Sequence, residues 1–157
     1  MEVKRNLNNV QRKMLDQIYT EQFSQKERAI IEKRDKGYET LKQQILESER
    51  KSPAVRAVLE AGKRYFELVE KNRPQLASKS LSITQTIHSL PQLEFGYSYS
   101  RDGGVHPKLS AYSDETTRIR TELAQKKQEV RARIYGLATT FDEVKTEVEA
   151  IINTIKV

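Results

Sequence analysis

Residues able to do chemistry are few in this sequence, and their spacing settles little beyond what they exclude. The two histidines, His88 and His106, lie in a stretch whose pattern predicts strands, where they could be cross-strand neighbours. No HxH, HExxH or His-plus-carboxylate spacing accompanies them, so surface or turn positions account for both and no metal is expected. Cysteine is absent, which removes disulfides, a thiolate nucleophile and Cys-based zinc. Gly103-Gly104 is not followed by a GK[ST] and is not part of a GxGxxG, so a hairpin turn explains it better than a phosphate loop. Without a GxSxG or a placed nucleophile, the chain is expected to be non-enzymatic and to need no cofactor.

Two groups of residues could bind rather than react. Arg50, Lys51, Arg56, Lys63 and Arg64 surround a helix break and would form a phosphate-binding patch if the helices fold back there. Tyr97, Tyr99 and Arg101 would share a strand face and its turn, an arrangement that can stack bases. That aromatic face is also the sheet's only apolar face, so packing against a helix is its simpler use. The charge is uneven in the same sense. Residues 1–79 hold 18 Lys and Arg against 12 Asp and Glu, whereas residues 80–157 hold 10 of each. A basic first half fits contact with an acidic surface, although the interleaved carboxylates equally describe a solvated helix face.

The elements that must position these groups are mostly helical. A content of 36% hydrophobic and 32% charged residues leans toward long helices with much exposed circumference. Residues from about 7 to 50 read as one helix, free of Pro and with Gly37 as its one glycine. Its apolar positions are Leu7, Val10, Met14 and Ile18, then Ile31, Tyr38, Leu41 and Ile45, with Gln22, Lys26 and Arg34 interrupting the stripe. Ser52-Pro53 predicts a new start, with Ser capping and Pro at the first helical position. The helix over 54–72 carries Val55, Val58, Leu59, Tyr65, Phe66 and Val69 on one broad face, and Asn72-Arg73-Pro74 should end it.

Between about 80 and 111 the period drops to two. Leu93, Phe95, Tyr97 and Tyr99 alternate with Glu94, Gly96, Ser98 and Ser100, and Arg101-Asp102-Gly103-Gly104 supplies a turn. Val105 to Ala111 would return as an edge strand restricted by Pro107, and Leu81, Ile83 and Ile87 suggest a third. Ser113-Asp114-Glu115 then opens a last helix over about 114–156. Val130, Ile134, Leu137, Phe141, Val144, Val148, Ile151 and Ile155 are spaced 4-3-4-3-4-3-4, a heptad seam that something must cover. Continued toward the N-terminus, the register reaches Leu123 but also Lys127 and Arg120, so the tight seam should stop near 123–130.

These readings predict an α+β, predominantly α, single domain over 1–157. Its long helices form a coiled-coil-like hairpin or bundle, with a small antiparallel β-meander inserted before the last helix. Two long helices flanking a β region resemble the prefoldin layout in arrangement. The helix after Ser52-Pro53 has no counterpart there and no motif residue carries over, so the resemblance implies no function. The function expected is that of a structural or adaptor protein, with the C-terminal seam pairing to residues 7–50 of the same chain or to a protein partner, a second copy included. Nucleic-acid or ribonucleoprotein binding through the basic half is the alternative. The N-terminal residues show no apolar signal segment and no run of about 18 apolar residues spans a membrane, so a soluble, cytoplasmic protein is expected.

Overall fold

The structure is a computed structural model and describes residues 2–83, 90–95 and 106–157. The described chain is mostly helical: α1 (Asn9–Ile18), a π-helical turn (Tyr19–Phe23), α2 (Ser24–Arg50), α3 (Pro53–Ala77), α4 (Pro107–Tyr135) and α5 (Phe141–Asn153). A two-stranded antiparallel ladder joins β1 (Arg5–Asn6) to β2 (Leu137–Ala138), with Arg5 opposite Ala138 and Asn6 opposite Leu137. Contacts divide the chain into two compact units, Met1–Glu39 with Val105–Val157, and Thr40–Gly104. The division falls inside α2.

The first unit is built on one apolar cluster. Leu7, Leu15 and Phe23 meet Leu123, Val130 and Ile134 of α4, Ala138 of β2, and Val144, Val148, Ile152 and Ile155 of α5 and its end. The helix expected over 7–50 exists as α1 and α2 fused through the π turn; of its expected stripe Leu7 and Ile45 are buried and Ile18, Ile31, Tyr38 and Leu41 half-buried, while two positions differ. Val10 and Met14 are exposed, while Leu15 and Phe23 are fully buried with Tyr19 packed between them. Two four-residue steps overrun two α-helical turns by about 80°. The wider π turn absorbs part of that overrun and returns Phe23 to the core side. At the N-terminal end, Asn8 and Gln11 close a capping box, each side chain accepting a hydrogen bond from the other's backbone N–H.

The helix expected over 114–156 differs from the observed chain at both ends and in the middle. It starts at Pro107, which occupies the first helical turn, and the His106 Nδ1 accepts a hydrogen bond from the Lys108 N–H at 3.3 Å. Ser113 therefore lies inside α4 rather than capping it. The chain then leaves the helix at Gly136, forms β2, and restarts behind Thr140, whose hydroxyl accepts from the Glu143 N–H. Asp142 and Glu143 add negative charge to the first turn of α5. α5 returns along α4: Arg133 meets Glu147 at 3.4 Å, and seven residues back along α4, Lys126 meets Thr154, seven residues on along α5.

Two residues that break the apolar stripe of α2 cross to other helices. Lys26 donates to the carbonyls of Ile152 (3.1 Å) and Ile155 (3.3 Å), placing a cation on the carbonyl end of α5. Arg34 donates from Nε to the Thr116 hydroxyl at 3.0 Å and from Nη2 to the Tyr112 carbonyl at 3.1 Å, with its guanidinium 3.8 Å from the Tyr112 ring centre. Tyr112 returns a hydrogen bond from its hydroxyl to the Arg34 carbonyl at 3.0 Å. Gly37 makes the approach possible, because a Cβ at that position would stand 2.1 Å from the Tyr112 hydroxyl oxygen.

In the second unit, α3 begins with Pro53 at its first position as expected, but the Ser52 side chain makes no capping hydrogen bond. The helix also runs through Pro74 to Ala77 instead of stopping at Asn72. It ends in a Schellman motif: the Leu81 N–H reaches the Leu76 carbonyl, the Ser80 N–H reaches Ala77, and Ser80 takes a positive φ of 57°. Leu76 and Leu81 line a common hollow of about 100 Å³ with Val69, Arg73 and Ile83. The β-meander expected over 80–111 is not where the described sheet lies. Leu81, Ile83, Leu93 and Phe95 are in irregular backbone, and 107–111 form the first turns of α4. Ile87, Tyr97, Tyr99 and the 101–104 turn fall outside the described residues. The one ladder among the described residues ties the N-terminal segment to the α4–α5 turn, which is not the prefoldin-like placement of a β segment between the long helices.

Candidate partner-binding surfaces

The heptad seam read from the sequence is divided by the Gly136–Thr140 turn. Val130, Ile134, Val144, Val148 and Ile155 are buried, and Phe141 and Ile151 are partly buried against the same cluster. Leu137 alone points away, 66% exposed on β2. Leu123, at the edge of the expected seam, is buried with the others, and Lys127 lies 4.0 Å from Glu27 of α2. Burial of side chains of this size is worth roughly 1.5–3 kcal/mol each. The seam's stabilising power is thus directed into the chain's own core.

The basic residues singled out from the sequence belong to the second unit. Arg50 ends α2, Lys51 lies in the joint, and Arg56, Lys63 and Arg64 lie on α3, all of them exposed. Carboxylates share this surface: Lys63 pairs with Glu67 and Arg64 with Glu60, each at 4.0 Å and one turn apart. A phosphate approaching α3 here meets Glu60 and Glu67 as well as the cations. Arg101, Tyr97, Tyr99 and His88 lie outside the described residues, and His106 serves the start of α4.

α3 also carries a surface the sequence reading merged into one face. Val55, Leu59, Gly62, Phe66 and Val69 step 4-3-4-3 and are half-buried or buried. Pro91 lies against Gly62 so closely that a Cβ there would be 2.4 Å from its ring. The residues immediately before each of these, Ala54, Val58, Ala61, Tyr65 and Leu68, repeat the same spacing about 100° around the helix. This second stripe is exposed: Val58 by 67%, Tyr65 by 57% and Leu68 by 58%. The signal that separates the two stripes in the sequence is the pair of small residues, Ala61 and Gly62, of which Gly62 marks the covered side.

A third feature is the open groove beside the Arg34–Tyr112 contact, about 320 Å³, bordered by Asp35, Tyr38, Ser113, Thr117 and Arg120. Its central guanidinium is already committed to Tyr112 and Thr116, so the groove reads as the surface of a structural contact. Among the described residues, no group of three or more His, Asp or Glu side chains is placed to hold a metal ion. No described helix is long and apolar enough to cross a membrane. Comparison with known proteins returns no matching family model, no similar curated protein and no similar solved structure.

Proposed function

We propose that this chain is a non-catalytic helical interaction module that receives a partner helix on the exposed stripe of α3. In this reading α1–α2, α4 and α5 form a compact helical bundle, and the C-terminal heptad residues hold that bundle together instead of recruiting a partner. The observation that carries it is the contrast between two apolar patterns of the same spacing. Val130, Ile134, Val144 and Val148 are buried, whereas Val58, Tyr65 and Leu68 stand in solvent. Helix-in-groove recognition uses anchors at this spacing. The test is a helical-peptide display selection on the full chain, counter-screened against the V58S/Y65S/L68S variant. Binders that enrich on the first and fail on the second are expected. No enrichment, or binders indifferent to the three substitutions, would overturn the reading.

Nucleic-acid binding is the second reading, favoured by the exposure of Arg50, Lys51 and Arg56 around the α2–α3 joint. It ranks lower because Glu60 and Glu67 interrupt the basic surface that continues along α3. Affinity for a single-stranded or duplex oligonucleotide that falls steeply with salt would promote it, since counterion release governs such binding.

A further inference from the structure

We infer that the partner helix seated on α3 is acidic along the edge it presents beside Tyr65 and Leu68; this rests on the docking reading above. The exposed stripe has two unlike borders. One side passes directly into Val55, Gly62 and Val69, which the protein already covers. The other side is bordered by Arg64 and Lys71, seven residues apart and therefore on one line parallel to the stripe. These are the positions that face a partner helix's flanking residues in heptad packing. Arg64 has a carboxylate neighbour, Glu60, at 4.0 Å, but both side chains are more than half exposed and such a pair exchanges readily for a better-placed partner. Lys71 has no ion pair among the described residues.

The same border argues against two other occupants. A second copy of α3 laid antiparallel would bring the Arg64/Lys71 edges of both copies together. Laid parallel, it would set that edge against the border that Pro91 and the rest of the unit already occupy. An anionic lipid surface would welcome Arg64 and Lys71, yet Glu60 and Glu67 follow directly behind them on the helix. The stripe's two alanine positions, Ala54 and Ala61, give little to insert among acyl chains but let a helix backbone approach closely.

The experiment uses the full chain and three synthetic helical peptides that share one Leu/Ile heptad seam and differ only in their flanking residues: Glu, Gln or Lys. Fluorescence anisotropy at about 0.05 M and about 0.5 M salt reads the affinities, the higher salt shrinking the screening length to a few ångströms. The Glu peptide is expected to bind about tenfold tighter than the Lys peptide at low salt, with the ratio shrinking at high salt. The R64E/K71E variant should invert the order, and both sites are exposed, so circular dichroism should show its helix content unchanged. If all three peptides bind equally, the charge inference is overturned while docking on α3 stands. If none binds, and V58S/Y65S/L68S changes nothing, docking itself fails. Binding to vesicles containing phosphatidylglycerol without peptide binding would assign the stripe to lipid. Salt-resistant self-association lost in V58S/Y65S/L68S would assign it to a second copy.

Discussion

Gly37 sits in the interior of α2, where glycine is about 1 kcal/mol worse than alanine for helix stability. Gly37→Ala should nonetheless destabilise the protein. The added methyl would stand 2.1 Å from the Tyr112 hydroxyl, so the ring must leave its place. Its departure breaks the hydrogen bond to the Arg34 carbonyl, worth about 1 kcal/mol net. It also lifts the ring from the Arg34 guanidinium, worth about 0.5–2 kcal/mol in a partly desolvated site. Set against the gain in helix propensity, the net loss is about 0.5–2 kcal/mol. In a Tyr112→Ala background the obstacle is gone, and the same Gly37→Ala change should stabilise by up to about 1 kcal/mol. The assay is urea unfolding of the four proteins of the cycle, followed by circular dichroism and by tyrosine emission, the chain having no Trp. A reversal of sign between the two backgrounds is the expected result. If Gly37→Ala stabilises equally in both, the close approach of Tyr112 is not what keeps glycine at this position.

The remaining expectations concern the other unit, the seam and one tyrosine. Ser80 holds a positive φ that a side chain tolerates at a cost of roughly 1–2 kcal/mol, so Ser80→Gly should raise the unfolding free energy measured in urea by about 1 kcal/mol or less after the added chain entropy of glycine. Val148→Asp should unfold the first unit, whereas Leu137→Glu, on an exposed position of the same expected seam, should leave both the fold and the light-scattering mass unchanged. Were Leu137→Glu to reduce the mass, the seam would be an interface between copies after all. The Tyr135 hydroxyl donates to Asp16 at 3.0 Å, and that bond, followed by the carboxylate's charge, raises its pKa above the ordinary 10.0. The contact's contribution is thus complete below about pH 10 and fades as alkali takes the proton from the folded state. In an ultraviolet titration the absorbance change lost in Tyr135→Phe should belong to a group that ionises above the ordinary tyrosine range.

How far the sequence could be read depended on whether a residue's partner was local. The start of α3 was legible because Pro53 acts within its own turn, and the two halves of the seam were legible as apolar positions. The break between them was not, although Gly136 and Thr140 mark a stop and a start. Spacing reports which residues are apolar, and a 4-3 pattern continues unaltered through a turn when the two arms face each other. Pro107 was read as a restraint on a strand, while the structure uses the same fixed φ and missing N–H to begin α4. Lys26 and Arg34 looked like defects in a stripe because their acceptors are 126 and 78 to 82 residues away. Val10 and Met14 looked like core because they step by three or four from Leu7, while the buried line runs instead through Leu15 and Phe23, four-residue steps that the wider turn at Tyr19–Phe23 accommodates. The exposed stripe of α3 was visible only as half of a broad face: Gly62 marks the covered half, but its cover, Pro91, lies 29 residues away.

The first unit takes its two halves from opposite sides of an intervening stretch of chain, and that ordering bears on how the protein is made. Phe23 and Leu15 finish in one cluster with Val148 and Ile152, which are translated more than 120 residues later. At about 5–20 residues per second, Phe23 spends roughly 6–26 s outside or within the ribosome before Ile152 exists. During that interval residues 40–104 are already complete, so the second unit has the opportunity to fold while the first is still open. A nascent chain of this design leaves Leu15 and Phe23 uncovered early and buries them late.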